Sequence, residues 1–149
     1  CLEYRMSWLA RGTDVVGLAE ARVPAFERLL AQEYRLGRPR YLRPQSGSPL
    51  LLPPRFAGDR DALSTLVGLA ASGEFSVVPY IATRSAWMLA ERIASLSGQA
   101  VRVAGAPPDL VDRVNNKLWF AQRVRELLGA QALPRTHVAS DERELVALL

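Results

Sequence analysis

The chain has 149 residues, 49% of them hydrophobic and 23% charged, enough for one globular domain with a buried core. No apolar run approaches the ~18 residues needed to cross a bilayer. One cysteine, Cys1, and one histidine, His137, exclude an internal disulfide and a Cys/His zinc set, and they make cysteine or histidine catalysis a poor choice. The net charge of +4 is confined to residues 35–61, which hold six arginines, two aspartates and five of the ten prolines, whereas the remainder balances 13 basic against 13 acidic groups. The excess is therefore read as one basic, proline-rich connection and not as a property of the whole surface. Arg5 and Arg11 interrupt the apolar positions of a secretory signal, and with the lone cysteine this fits a cytoplasmic protein. Opening on Cys1 and closing on the apolar Leu145–Leu149, the chain reads as a piece of a longer one.

In chain order, Leu2, Met6 and Leu9 recur at helical spacing before Gly12. Asp14–Ala19 (DVVGLA) predicts a short buried strand. Pro24 suits a first helical position, with Phe26, Leu29 and Leu30 as the apolar stripe. Beyond the proline-rich connection, Leu63, Leu66, Val67 and Ala70 predict a helix ended by Gly73. Phe75–Val78 is rich in strand formers and stops at Pro79. Ala86, Leu89, Ala90 and Ile93 form the i, i+3, i+4, i+7 face of a helix with Gly98 beyond it. Ala100–Gly105 predicts another strand, and Pro107–Pro108 open a short helix towards Asn115. Alternating strands and helices predict an α/β domain, an open and mostly parallel sheet flanked by helices. A helix from Lys117 to Leu128 is expected to pack Phe120, Val124, Leu127 and Leu128 on one side. Thr136–Ala139 has the composition of a strand, and Asp141 with Glu144 resembles a capping box for a last helix.

Ligands of open α/β sheets bind outside the carboxyl ends of the strands. In PYIATRSAW, the turn after Val78, Thr83, Arg84 and Ser85 enter a helix, where free N–H groups, a hydroxyl and a guanidinium make a set suited to a carboxylate or phosphate. The same residues also serve plain helix capping, with Arg84 in water. The second place is Asn116–Lys117. Lys117 is the only lysine beside 18 arginines, and Asn115 and Asn116 are the only asparagines. Asn116 is a good N-cap, which puts the ammonium of Lys117 in a first turn where the helix dipole is already positive, at a cost of about 0.3–1 kcal/mol. A bound anion reverses that sign, because the lysine and the free N–H groups both serve it; a lysine bent into water makes the cost small.

The stretch VRVAGAPPDLVDRVNNKLWFAQRVRELLGAQALPRT, Val101 to Thr136, resembles the junction of the pre-ATP-grasp domain with the first ATP-grasp subdomain in ATP-grasp ligases. A strand ends at Gly105, Pro107–Pro108 make the turn, and Leu110–Val114 form a short helix. Asn116–Lys117 then precede a helix that ends at Gly129, before Leu133–Pro134 and Thr136. VVPYIATRSAWMLAERI stands where the preceding strand–turn–helix of biotin carboxylase stands, and ATP-grasp peptide ligases with a variant N-terminal domain are similar too. The resemblance implies a Rossmann-like pre-ATP-grasp domain over residues 1–112, lacking its first strand, and the beginning of an ATP-grasp subdomain over 113–149.

It further implies an ATP- and Mg²⁺-dependent ligase that joins a carboxylate to an amine through an acyl phosphate. Lys117 is implied on the nucleotide phosphates, and Tyr80, Thr83, Arg84 and Ser85 on the substrate. The Mg²⁺ ligands and the second ATP lysine of the family have no counterpart here, so the 149 residues are expected to be inactive without the remaining ATP-grasp domains of the parent chain. Partners implied are the small-molecule acid and amine, and a homo-oligomer is compatible. Two other readings stand beside this one: a Rossmann-like interaction domain without catalysis, and a nucleic-acid module using residues 35–61 with Tyr41 as a stacking surface. The neutral remainder of the chain argues against the latter.

Overall fold

A computed structural model describes residues 3–45, 51–134, 137 and 139–147. The chain divides into two compact units, Cys1–Pro108 and Asp109–Leu149. In the first, a 3-10 turn (Glu3–Trp8) leads into β1 (Val15–Gly17), α1 (Pro24–Gln32), β2 (Arg40–Leu42), α2 (Leu52–Gly58), α3 (Arg60–Ala71), β3 (Phe75–Val77), α4 (Arg84–Ser97) and β4 (Val101–Val103). β1 pairs with β2 in parallel, Val16 opposite Tyr41, and β3 pairs with β4 in parallel, Ser76 opposite Arg102. One further bond continues each ladder at its carboxyl end, from Leu18 N–H to the Leu42 carbonyl and from Ala104 N–H to the Val77 carbonyl. Each pair is spanned by one helix, which is how a parallel pair must be connected. The chain is thus α/β, with two two-stranded parallel sheets among the described residues.

The periodic segments fold as their spacing dictates. Ala86, Leu89, Ala90 and Ile93 are all buried, Ile93 completely, and Leu89 and Ile93 share a cluster with Leu63, Leu66 and Ala70 of α3. Gly98 ends α4 with φ 69°, the left-handed conformation for which a residue without Cβ is suited. Met6 and its neighbours form the 3-10 turn instead of an α-helix, and Leu2 lies outside the described residues. On α1 only Leu30 is buried; Phe26 is half-buried and Leu29 is exposed.

The proline-rich segment departs from the expectation of a plain connection, because it contains β2 and α2. Proline tolerates the first turn of a helix, where its missing N–H has no partner to lose, and Pro53–Pro54 sit there in α2. Phe56 of α2, 5% exposed, is part of the α3–α4 core, and Leu42 of β2 and Leu52 pack against the same cluster. A Cβ built on Gly17 of β1 would stand 2.8 Å from the Phe56 ring, so the absence of a side chain there admits the phenylalanine. Burying such a ring stabilises the fold by about 1.5–3 kcal/mol, and here the ring belongs to a cluster against which Leu42 of β2, Phe75 of β3 and Val101 of β4 all pack.

A second cluster joins Tyr4, Val16 and Leu18, with Phe26 and Tyr41 packed against it. Tyr4 stacks edge-on to Phe26 at 5.2 Å. Its buried hydroxyl donates to Glu27 at 3.0 Å and accepts from Val23 N–H at 2.7 Å. Arg22 closes the network with two hydrogen bonds to Glu27 and lies 5.3 Å from the Tyr41 ring centroid. Arg55 is also committed inward: 8% exposed, it donates to the carbonyls of Ala19 at 2.8 Å and Pro44 at 3.1 Å. With Arg55 buried and Tyr41 half-buried against Tyr4, two members of the supposed basic arm face the interior.

The second unit holds α5 (Pro108–Asn115), α6 (Lys117–Leu128), a 3-10 turn (Ala130–Ala132) and α7 (Glu142–Ala147). The expected packing side of α6 is not packed: Phe120, Leu127 and Leu128 are exposed, and neither α5 nor α6 has a buried residue. The start of α7 is a displaced capping box. The Asp141 carboxylate accepts from Glu144 N–H at 2.9 Å, while Glu144 reaches back to the N–H and hydroxyl of Ser140, one residue before the N-cap. Thr136 and Val138 of the supposed last strand lie outside the described residues.

The Arg22 guanidinium holds the Glu27 carboxyl below its ordinary value of 4.5 against the opposing effect of burial, and the Tyr4 hydroxyl bond lowers it further. Such a group stabilises the folded state above the unfolded pKa, and that stability disappears as pH falls through the folded one. Urea midpoints from pH 7 to pH 3 should therefore show wild type more stable than Glu27→Gln at neutral pH, with the gap closing below about pH 4.5; a gap constant with pH would remove the ion pair from the account.

Candidate ligand site at the strand exits

The exit of β3 is built by a tight turn. Thr83 N–H donates to the Ile81 carbonyl at 2.8 Å, and the Thr83 carbonyl accepts from Ala86 at 3.0 Å and Trp87 at 3.3 Å to start α4. Thr83 is the N-cap by position, but its hydroxyl makes no cap bond. It lies 2.9 Å from the Ser85 hydroxyl instead, so the two form a pair at the mouth of the helix. Arg84 is exposed at the first helical position. Tyr80 is 58% exposed, and its phenol accepts from Arg5 Nη1 at 2.8 Å while the Arg5 guanidinium lies 5.5 Å from the ring centroid. Arg5 has no signal in the sequence, since it stands 75 positions away. The four expected residues thus share one exit, joined by one further cation.

The exit of β4 is pressed against it. A Cβ built on Gly105 runs into the Ala82 side chain, and Ala82 is buried. The Trp87 indole donates to the Ala106 carbonyl at 3.3 Å, tying α4 to the same turn. Both contacts depend on small or flat groups at the crossing, and they hold two strand ends side by side where open α/β sheets bind ligands. A shallow depression of 210 Å³ bordered by Glu74, Ser76, Gln99 and Arg102 lies at the amino ends of β3 and β4, away from these residues.

In the second unit, Asn116 caps α6 as expected. Its Oδ1 accepts from Leu118 N–H and Trp119 N–H, both at 3.1 Å. This corrects one part of the electrostatic expectation: two of the first-turn N–H groups are already taken. The first turn has no acidic residue, so the exposed Lys117 ammonium remains the group that can serve an anion there. Arg123, in the middle of this helix, pairs with Glu126 at 2.6 Å and lies 5.6 Å from the Trp119 ring centroid. Among the described residues no three of His, Cys, Asp and Glu gather to hold a metal ion, and no helix is long and apolar enough to cross a membrane.

A family model for the pre-ATP-grasp domain matches residues 3–95. The chain belongs to the pre-ATP-grasp family. The match runs from the opening 3-10 turn into the last turn of α4, so the β3 exit, with Tyr80, Thr83, Arg84 and Ser85, lies inside it. Asn116 and Lys117 lie beyond it, as does the whole stretch from Val101 to Thr136 that resembled the ATP-grasp junction. No curated protein and no solved structure matches this pre-ATP-grasp chain.

The crossing of the two exits gives a paired test. Gly105→Ala should destabilise the chain by about 1–3 kcal/mol through overpacking. Gly68→Ala, in an open interior position of α3, should stabilise it by about 0.5–1 kcal/mol. Chemical denaturation of both variants checks the opposite signs, and a neutral Gly105→Ala would mean that the exits are not in contact.

Proposed function

We propose that the chain is the substrate-binding N-terminal part of an ATP-dependent ligase that joins a carboxylate to an amine, in the cytoplasm, through an acyl phosphate. The observation that carries the reading is the family match over β1 to α4, which includes the strand exit of Thr83, Arg84, Ser85 and Tyr80, the last bonded to Arg5. In this reading the two parallel pairs belong to a Rossmann-like pre-ATP-grasp domain over residues 1–112, and residues 113–149 begin an ATP-grasp subdomain.

ATP and Mg²⁺, which the ATP-grasp family generally uses, supply the activation of the carboxylate by phosphoryl transfer. The chain's own residues do the holding. The guanidiniums of Arg84 and Arg5 and the hydroxyls of Thr83 and Ser85 are the groups for an anionic substrate at the β3 exit, with Tyr80 oriented by Arg5. Lys117 is the group for a nucleotide phosphate; its ammonium fits that role because its first turn carries no acid and its neighbouring N–H groups are occupied by Asn116. Mg²⁺ finds no ligand set among the described residues, so no role in holding it is assigned to this chain.

The test uses the full-length product of the gene and follows ATP-dependent ADP release. Lys117→Ala should raise the KM for ATP by about tenfold or more, the size of a lost charge-assisted hydrogen bond, and Lys117→Arg should recover part of it. An ATP KM and a turnover unchanged in Lys117→Ala would take this lysine out of the site.

A further inference from the structure

Arg55 is the buried charged group that the proposed ligase chemistry does not use. It is 8% exposed, its Nη1 donates to the Ala19 carbonyl at 2.8 Å and its Nη2 to the Pro44 carbonyl at 3.1 Å. Its Nε is shielded from solvent and has no hydrogen-bond partner. No carboxylate forms an ion pair with it among the described residues. Asp59, also buried and four residues on, accepts instead from Gln45 N–H at 2.7 Å and Ala62 N–H at 2.9 Å. A buried donor left unmade costs about 1–3 kcal/mol, and more when it is charged. The two acceptors also fix where the guanidinium sits. Ala19 lies two residues beyond β1 and Pro44 two beyond β2, so the group spans the carboxyl ends of a parallel pair, the place where open α/β sheets take their ligands.

We propose that Arg55 is the receptor of a small oxyanion, a carboxylate or a phosphate, at the carboxyl ends of β1 and β2. Nε offers one N–H and Nη2 carries two with a single acceptor filled, so the planar fork retains donors for two oxygens of one anion. Such an anion satisfies the orphaned Nε and supplies the buried guanidinium with the counter-charge that it lacks. The competing occupant is an internal water, which satisfies Nε but supplies no charge. This site is separate from the β3 exit, and it stands or falls on different residues.

The experiment follows the Nε–Hε resonance of Arg55 in the 149-residue chain by NMR, with inorganic phosphate and with acetate added at matched ionic strength against chloride. The resonance should be protected from solvent exchange and should move saturably with phosphate or acetate and not with chloride; the anion that saturates at the lower concentration identifies the class. Arg55→Lys keeps the charge and loses the fork, and should weaken that binding by about tenfold or more. If the variant does not fold, the wild-type resonance remains the readout. An Arg55 Nε–Hε that neither anion moves, or that shifts no more than those of exposed arginines, would overturn the proposal and leave the site to water.

Discussion

The first unit depends on two adjacent side chains of α2 that face different tasks. Phe56 fills the space that Gly17 leaves open on β1 and extends into the core of α3 and α4. Arg55, beside it, grips the carbonyls just beyond β1 and β2. The first contact brings the two parallel strand pairs onto one apolar cluster. The second fixes where the chain leaves the first pair. Two isolated two-stranded sheets are weak structures in water, and α2 places residues of both pairs against one shared cluster.

From that arrangement the β3 exit follows. α4 contributes Leu89 and the completely enclosed Ile93 to the core, and its Ala86 and Ala90 are buried as well. Its opposite duty lies at its first turn, where Arg84 and Ser85 emerge beside Thr83. A helix anchored so firmly along its length presents its start as a rigid platform, and Trp87 and the Ala82–Gly105 crossing tie that platform to the neighbouring strand exit. Rigid placement of a few polar groups is what substrate positioning demands. Membership of the pre-ATP-grasp family gives this platform its context, because the matched residues end on the same helix.

What could be read from the sequence was local. The α4 stripe, the Gly98 terminus and the Asn116 cap each depend on residues within a turn or two, and each is found where spacing placed it. What could not be read required distant partners. Arg5 meets Tyr80 across 75 positions, and the burial of Arg55 requires carbonyls 36 and 11 residues away. β2 and α2 were hidden because five prolines and six arginines within residues 35–61 suggest an irregular, solvated segment, whereas proline at the first turn starts a helix as readily as it breaks one. The apolar side of α6 misled in the other direction: helical spacing foretold the helix, but spacing alone names no partner, and Phe120, Leu127 and Leu128 lie exposed.

The charge pattern carries the same lesson. Lys117 is singular by composition and stands in a first turn without acids, while Asn116 occupies two of the N–H groups that would also serve an anion. The central claim is that this chain serves a ligase that activates a carboxylate by phosphoryl transfer. The most direct measurement is the nucleotide product formed by the full-length gene product when it is given ATP, Mg²⁺ and a mixture of amino acids and short peptides. The account predicts ADP and phosphate in amounts matching the new amide bonds; AMP and pyrophosphate, the products of activation as an acyl adenylate, would contradict it.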